Sequence, residues 1–287
     1  MHPPVADGAR WLVTGAHGQL GAEVLRALQG KDAVGLARDD LDLTDQDAVE
    51  SAIADHRPDL VVNTAAYTAV DAAEDDEAAA YAVNALGPAH LAASCARHGA
   101  RLLQMSTDYV FPGDAREPYD VDAPTGPHTA YGRTKLAGER WVQALLPQSS
   151  WIVRTAWVYA VGRRSFVDTM IRLERERDTV DVVDDQCGSP TWASDLAAAL
   201  VALGGSTAPA GILHCVGGGQ TTWCGLARAV FEEVGADPAR VRPTTTQASA
   251  RPARRPAYSV LSDRSWRTAG LPAMPEWRGA VHAALGR

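Results

Sequence analysis

The chain has 287 residues, 46% of them hydrophobic and 22% charged, with a formal net charge of −8 and a pI near 5.5. That length suits one large α/β domain with an appended lobe, or two modest domains. The acidic balance excludes a broad nucleic-acid face, no apolar run reaches the roughly 18–20 residues of a membrane span, and Met1 to Gly8 lacks the pattern of a secretory leader, so a cytoplasmic protein without membrane or nucleic-acid partners is expected.

Arg10 to Thr14 is a short apolar strand that runs into Gly15. Leu20 to Leu28 then places Leu20, Val24, Leu25 and Leu28 on one helical face. A second strand, Ala33 to Ala37, stops in Arg38-Asp39-Asp40, and Asp45 to His56 carries Val49 and Ile53 at helical spacing. Leu60 to Thr64 is the next strand. One helix is expected from about Ala73 to Leu86 and another up to His98, followed by a strand over Arg101 to Ser106. Five-residue apolar strands alternating with helices imply a parallel sheet covered on both faces. The fold class expected is therefore α/β, a doubly wound Rossmann-type sheet, with the dinucleotide-binding domain over residues 1–162. Pro112 to Thr129 reads as a loop that leads into a helix bearing Tyr131 and Lys135, and Trp151 to Thr155 is a further strand. Regularity then falls. Helices near Phe166–Glu176, Ala193–Leu203 and Trp223–Val234 are separated by Gly- and Pro-rich pieces, and Arg240 to Pro256 is expected to be a long loop. Residues 163–287 are read mostly as a smaller substrate-binding lobe, with some segments returning to the Rossmann core.

Three features carry chemistry. Gly15, Gly18 and Gly21 lie between a strand and a helix, as a phosphate cradle requires: glycine permits the tight turn, and the helix N-terminus offers free N–H groups. Tyr131 and Lys135, four apart, share a helix face, where an ammonium beside a phenol lets it trade protons near neutral pH. Thr107 ends an apolar run, where a hydroxyl can donate to a substrate carbonyl. Lys135 has a second plausible task on the nicotinamide ribose. A nucleotide loop, a hydroxyl residue and Tyr-x-x-x-Lys, in that order, describe a short-chain dehydrogenase/reductase. At the end of the second strand Ala37 replaces the acid usual in NAD-binding folds and Arg38 follows. That arrangement favours the 2′-phosphate of NADPH, NADH remaining possible if Asp39 or Asp40 turns inward. Asp42 and Leu43 would cover the adenine. Cys95, Cys187, Cys215 and Cys224 show no metal spacing and read as buried thiols of a reducing cytosol. His90 and His98 read as surface or packing residues.

Longer motifs sharpen this. Gly-x-x-Gly-Gln-Leu-Gly, Leu41-Asp42-Leu43-Thr44-Asp45, Val62 to Asp71, Ser106 to Phe111, Tyr131 to Glu139, Arg154 to Tyr159, Asp185 to Thr191 and Arg255 to Leu261 occur in order. Together they resemble the dTDP-4-dehydrorhamnose reductase family of extended short-chain reductases, from about residue 10 to the C-terminus. The resemblance implies reduction of the C4 ketone of dTDP-4-dehydro-6-deoxy-L-mannose, with Tyr131 as proton donor, Lys135 supporting it and Thr107 polarising the ketone. It implies that Gln19, Leu20, Ala65, Ala66 and Tyr67 join Gly15 and Gly18 around the cofactor. It also implies that Val70, Asp108, Tyr109 and Trp157 line the sugar pocket, and that Arg255 meets the diphosphate of a dTDP-linked 4-keto-6-deoxyhexose. Some members form magnesium-bridged dimers through glutamates. Glu23 matches one of these, but Ser194 and the acid-free C-terminus do not, so no metal is expected and the assembly is a monomer or a homodimer. A sister ketoreductase acting on another dTDP-4-keto-deoxysugar, such as one forming dTDP-dihydrostreptose, would share the same machinery. A non-catalytic nucleotide-binding subunit would not need Thr107, Tyr131 and Lys135 together. A dehydratase would need a second acid where Tyr109 stands.

Overall fold

The structure is a computed structural model that describes residues 8–286; the stretch read above for a leader lies almost wholly outside it. In chain order the first part comprises β1 (Trp11–Thr14), α1 (Gln19–Ala27), β2 (Ala33–Leu36), α2 (Gln46–His56), β3 (Leu60–Asn63), α3 (Val70–Asp75), α4 (Glu77–Tyr81), α5 (Gly87–His98), β4 (Arg101–Thr107), α6 (Ala130–Leu145) and β5 (Ser150–Thr155). There follow β6 (Val158–Tyr159), α7 (Phe166–Glu176), β7 (Val180–Val183), β8 (Cys187–Gly188), β9 (Thr191–Trp192), α8 (Ala193–Gly204), β10 (Gly211–His214), β11 (Thr221–Thr222), α9 (Trp223–Glu233), β12 (Val241–Thr244), α10 (Arg264–Thr268) and α11 (Trp277–Leu285).

Six strands form one parallel sheet in the order β10-β5-β4-β3-β1-β2. Their alternation sends Trp11 and Val13 to one face, with Val24, Leu28, Leu196, Leu200 and Leu203 of α1 and α8. Leu12 points to the other face, with Val49, Ile53, Leu91 and Val142 of α2, α5 and α6. Both faces are dry, which is why the strands read as continuous apolar runs. The sheet order reverses at β1, between β2 and β3, and a ligand crevice is expected beyond the strand ends there. A second core, with Val167, Met170, Val180, Val182, Phe231 and Val281, belongs to the lobe built by α7, α9 and α11. The boundary between the two bodies is not a single point in the chain. The pairing of β10 with β5 returns residues 211–214 to the sheet, and α8 packs on α1.

Two expectations need correction. The helix expected from Ala73 to Leu86 is broken at Asp76, whose carboxylate turns back to accept from Ala79 N at 2.9 Å and caps α4. Beyond it a wide π-turn over Ala82–Leu86 runs straight into α5. The segment from Arg240 to Pro256 is also not all loop. Val241–Thr244 pairs in parallel with Val180–Val183, and a two-stranded parallel contact this distant in sequence leaves no local pattern to read.

Candidate active site

One cavity of about 1290 Å³ runs from the glycine loop, past the ends of β3 and β4, to the lobe. It exceeds the volume usual for one drug-sized ligand, so it has room for a dinucleotide and a second molecule. At one end the backbone is built for close approach. Gly15 has φ +72°, and a Cβ there would lie 2.7 Å from Ala65 N. A Cβ on Gly21 would lie 2.2 Å from Gly15 O, so the third glycine serves helix-to-loop packing rather than lining the cavity. Gly18 caps α1 with extended backbone and no side-chain acceptor, which leaves the first N–H groups of α1 to an anion. Gln19 Oε1 is buried without a hydrogen-bond partner. Gly15, Gly18, Gln19 and Leu20 all border the cavity.

Beyond β2, Ala37 and the exposed Arg38 border the same space, whereas Asp39 and Asp40 do not. The Asp40 carboxylate is turned back onto Ala37 N at 2.9 Å and not into the cavity. Asp42 accepts from Thr44 N and Oγ1 at 2.9 and 2.8 Å; these bonds hold its carboxyl below the usual range, against some burial. Leu43 anchors the ring of His90, whose Nδ1 lies 2.9 Å from Leu43 O, and His98 pairs with Glu50. The glycine cradle, the free helix end, the unpartnered Gln19 Oε1 and the cavity-lining Arg38 fit a dinucleotide that carries an extra phosphate.

The wall at the centre of the cavity is set by β4 and α6. Thr107 ends β4, donates to Asp108 Oδ1 at 3.0 Å and accepts from Tyr109 N at 3.2 Å. Thr129 caps α6 by accepting from Gly132 N at 3.0 Å. Gly132 is required here, since a Cβ would lie 2.3 Å from Tyr109 O. This contact places Tyr131 edge-on to Tyr109, ring centroids 5.5 Å apart. Burial pushes the Tyr131 phenol up to about 12; a hydrogen bond with Thr107 pulls it down and the Asp108 charge raises it. Lys135 is buried with Nζ on Met105 O at 2.7 Å. Desolvation lowers its ammonium to about 8, and the Glu139 charge acts the other way. The Lys135 ammonium is thus held on the β4 carbonyl, and with its raised value the Tyr131 phenol is protonated at neutral pH. Burial lifts Asp108 to about 6, opposed by the hydroxyls of Ser259 and Thr107. Its Oδ2 and Ser259 Oγ nonetheless lack a hydrogen bond of ordinary geometry.

Several contributors escape sequence reading. Asn84, in the π-turn, accepts from Tyr67 N at 2.9 Å and donates to Tyr67 O at 3.1 Å and Thr134 Oγ1 at 3.2 Å, pinning the Ala65-Ala66-Tyr67 segment against α6. Glu139, one turn beyond Lys135, accepts from Ser106 Oγ at 2.5 Å and from Arg154 Nε and Nη2 at 2.8 and 2.7 Å. An Asn among apolar residues in a helical stretch and a Glu four residues after Lys135 were the available signals. On the lobe side Trp157 has φ +46° and stacks on Trp223, centroids 3.6 Å apart and planes 8° apart. Gly188 gives Trp157 its room, since a Cβ there would lie 2.3 Å from the indole. Val70, Trp157, Trp223 and Arg255 border the cavity with Thr107, Asp108, Tyr109 and Tyr131. Arg255 does not stand free: its Nη2 donates to Asp71 Oδ2 at 2.8 Å. Glu23 and Ser194 are bridged by the Arg26 guanidinium, 2.8 Å from Ser194 Oγ. Among the described residues no three His, Cys, Asp or Glu side chains group as metal ligands, and no helix is long and apolar enough to cross a membrane.

Residues 9–287 match the family model described as RmlD substrate binding domain. The chain belongs to the RmlD substrate binding domain family. The dTDP-4-dehydrorhamnose reductase of Streptomyces griseus is 57% identical over 278 residues, 95% of this chain and 91% of that protein. A probable dTDP-4,6-dihydroxy-2-methyloxan-3-one 4-ketoreductase of Streptomyces antibioticus is 52% identical over 281 residues, 96% of this chain and 94% of the relative. Among solved structures, the dTDP-4-dehydrorhamnose reductase of Bacillus anthracis in complex with NADP superposes with a TM-score of 0.92 at 36% identity, covering 96% of this chain and 98% of that one. The similarity therefore spans nearly the whole chain and not only the short motifs.

Proposed function

We propose that the chain reduces the C4 ketone of dTDP-4-dehydro-L-rhamnose to dTDP-L-rhamnose with NADPH. The observation that carries this reading is the joining of the glycine loop, Arg38, Thr107, Tyr131 and Lys135 around one cavity. The names of the Streptomyces griseus relative and of the NADP-bound Bacillus anthracis neighbour support the substrate and the cofactor. Gly15, Gly18 and the first turn of α1 hold the pyrophosphate, Arg38 the 2′-phosphate, and Asp42 and Leu43 border the adenine. NADPH, when bound, supplies the hydride.

The chain's own residues prepare the ketone and provide the proton. Thr107 donates to the carbonyl oxygen in place of its bond to Asp108, which favours the charge that builds on that oxygen. Tyr131, a phenol at neutral pH, gives its proton to the developing alkoxide. The ammonium of Lys135 orients the ribose and stabilises the phenolate left behind. Val70, Asp108, Tyr109 and Trp157 enclose the sugar, and Arg255 faces the diphosphate from the lobe, residues 163–287. The enzyme works as a monomer or homodimer in the cytoplasm, a setting that suits four unpaired cysteines, three of them buried.

A second reading has its own support. The 52% identical relative from Streptomyces antibioticus is named for a different dTDP-linked ketone, so a sister 4-ketoreductase on another dTDP-4-keto-deoxysugar shares this site. Incubation of the purified protein with NADPH and dTDP-4-dehydro-L-rhamnose, followed by NMR of the product, decides between them. dTDP-L-rhamnose at a rate well above that with other dTDP-4-keto sugars is expected. Faster turnover of another sugar would transfer the assignment to the sister reaction, and no nicotinamide oxidation with any of them would end the reductase reading.

A further inference from the structure

We infer that Asp71 is the residue that positions Arg255 for the diphosphate of the substrate. This rests on the proposed contact between Arg255 and that group. Residues 245–256 form an irregular segment that follows β12 and runs along the cavity rim. Having no ladder of its own, the segment is held at separate tie points. At its start Thr246 donates through N at 2.9 Å and through Oγ1 at 2.6 Å to the carboxylate of Asp185. At its end Pro256 presses on Gly113, where a Cβ would lie 2.4 Å from the proline ring, and Cys187 N donates to Ala257 O at 2.8 Å. The middle is tied to the nucleotide-binding side by Asp71, in the first turn of α3. Asp71 accepts from Ala253 N at 3.2 Å and from Arg255 Nη2 at 2.8 Å, and Arg251 Nη1 lies 3.8 Å away. Arg255 Nη1 donates to Ala253 O at 3.0 Å.

The arrangement preorganises a cation. A guanidinium carries five N–H donors in a fixed plane; the Asp71 and Ala253 contacts engage one edge of it, and other donors remain for an anion. Arg251, Arg254 and Arg255 all border the cavity; Asp71 lies against Arg251 and Arg255 but brings a single negative charge to the three positive ones, so this segment stays positive toward a diphosphate. The Arg255 side chain is 16% exposed, and a long side chain already ordered loses less entropy when the ligand arrives. The same short helix also reaches the reacting end of the cavity, since Glu74 accepts from Ala130 N, next to Tyr131, at 2.8 Å. Asp71 does not itself line the cavity; it acts through Arg255.

Thymidine diphosphate titrated by calorimetry into wild type, Asp71→Ala, Asp71→Asn, Arg255→Ala and the Asp71→Ala/Arg255→Ala pair tests this. Asp71→Ala is expected to weaken thymidine diphosphate about fivefold to tenfold, and Asp71→Asn less, because it keeps an acceptor for Arg255. In the Arg255→Ala background, loss of Asp71 is expected to add less than twofold, the signature of action through that residue. KM for the nucleotide sugar should rise while kcat holds, and unchanged NADPH affinity certifies that each variant is folded. Equal effects of Asp71→Ala in both backgrounds, no effect in wild type, or tighter binding from relief of a competing carboxylate would each overturn the positioning role. Unchanged thymidine diphosphate affinity in Arg255→Ala would instead remove the assignment of Arg255 to the diphosphate, and the positioning role with it.

Discussion

Lys135 donates from Nζ to the main-chain carbonyl of Met105 at 2.7 Å, and the same carbonyl accepts from Gln104 Nε2 at 2.8 Å. Gln104 in turn accepts from Asn63 at 2.7 Å, and Asn63 from Thr14 at 2.6 Å. A buried polar line thus joins the ends of β1, β3 and β4 to the lysine. It satisfies groups whose burial unpaired would be costly, and it fixes where the ammonium sits before any ligand enters.

The lysine's lowered proton affinity has a pH consequence. Burial brings Lys135 down to about 8, so in the free enzyme its charge is lost as pH rises through that value. The ratio kcat/KM for NADPH, which reports the free enzyme, is expected to fall above about pH 8. In Lys135→Met that basic limb should vanish and activity should be low throughout. A limb that persists unchanged in the variant would assign the titration to another group.

Tyr131→Phe removes one proton donor and little contact area. Turnover is expected to drop by roughly 10²–10⁴-fold, with NADPH affinity measured by fluorescence close to wild type. Turnover within threefold of wild type would exclude Tyr131 as the donor.

Arg38→Ala should weaken NADPH by about 10–100-fold, the worth of roughly 1.5–3 kcal/mol for a charge-assisted contact, and leave NADH nearly unaffected. The turned-back Asp40 makes this asymmetry sharper, since its carboxylate is engaged by Ala37 N. Equal losses of both cofactors would place Arg38 outside the adenosine site.

Glu139 and Arg154 are 1% and 2% exposed. Glu139→Ala strands a buried guanidinium and is expected to cost on the order of 3–5 kcal/mol, read from urea unfolding. It should also lower activity, because Ser106 and the turn of α6 bearing Lys135 share that carboxylate. A loss under 1 kcal/mol would mean that the pair is not held as described.

Asp108 is the opposite case. Burial raises its carboxyl to about 6, above the ordinary value, so the folded chain binds that proton more tightly than the unfolded chain. Stability is therefore favoured below the unfolded value and is lost as pH climbs through about 6. Asp108→Asn removes the buried charge and should raise the free energy of unfolding more at pH 7.5 than at pH 4.5, by a margin on the order of 2 kcal/mol read from urea unfolding, while activity falls. An equal gain at both pH values would show that the charge is not the cause.

The amino-acid sequence by itself determined the parts whose signals are local. Apolar strands of about five residues, the spacing of Gly15 and Gly18, and Tyr131 one turn from Lys135 are local signals that any reader can count. The absence of an acid at Ala37 is equally plain. Tertiary structure alone decided what depends on residues far apart. Asp40 folds onto Ala37 N, and Lys135 Nζ rests on the Met105 carbonyl. Trp223 meets Trp157 across 66 positions, and Asp71 meets Arg255 across 184. Such pairings arise when two separately built surfaces close on one another. Their contacts are selected by shape and unpaired polarity in the assembled fold, which leave no period in the chain.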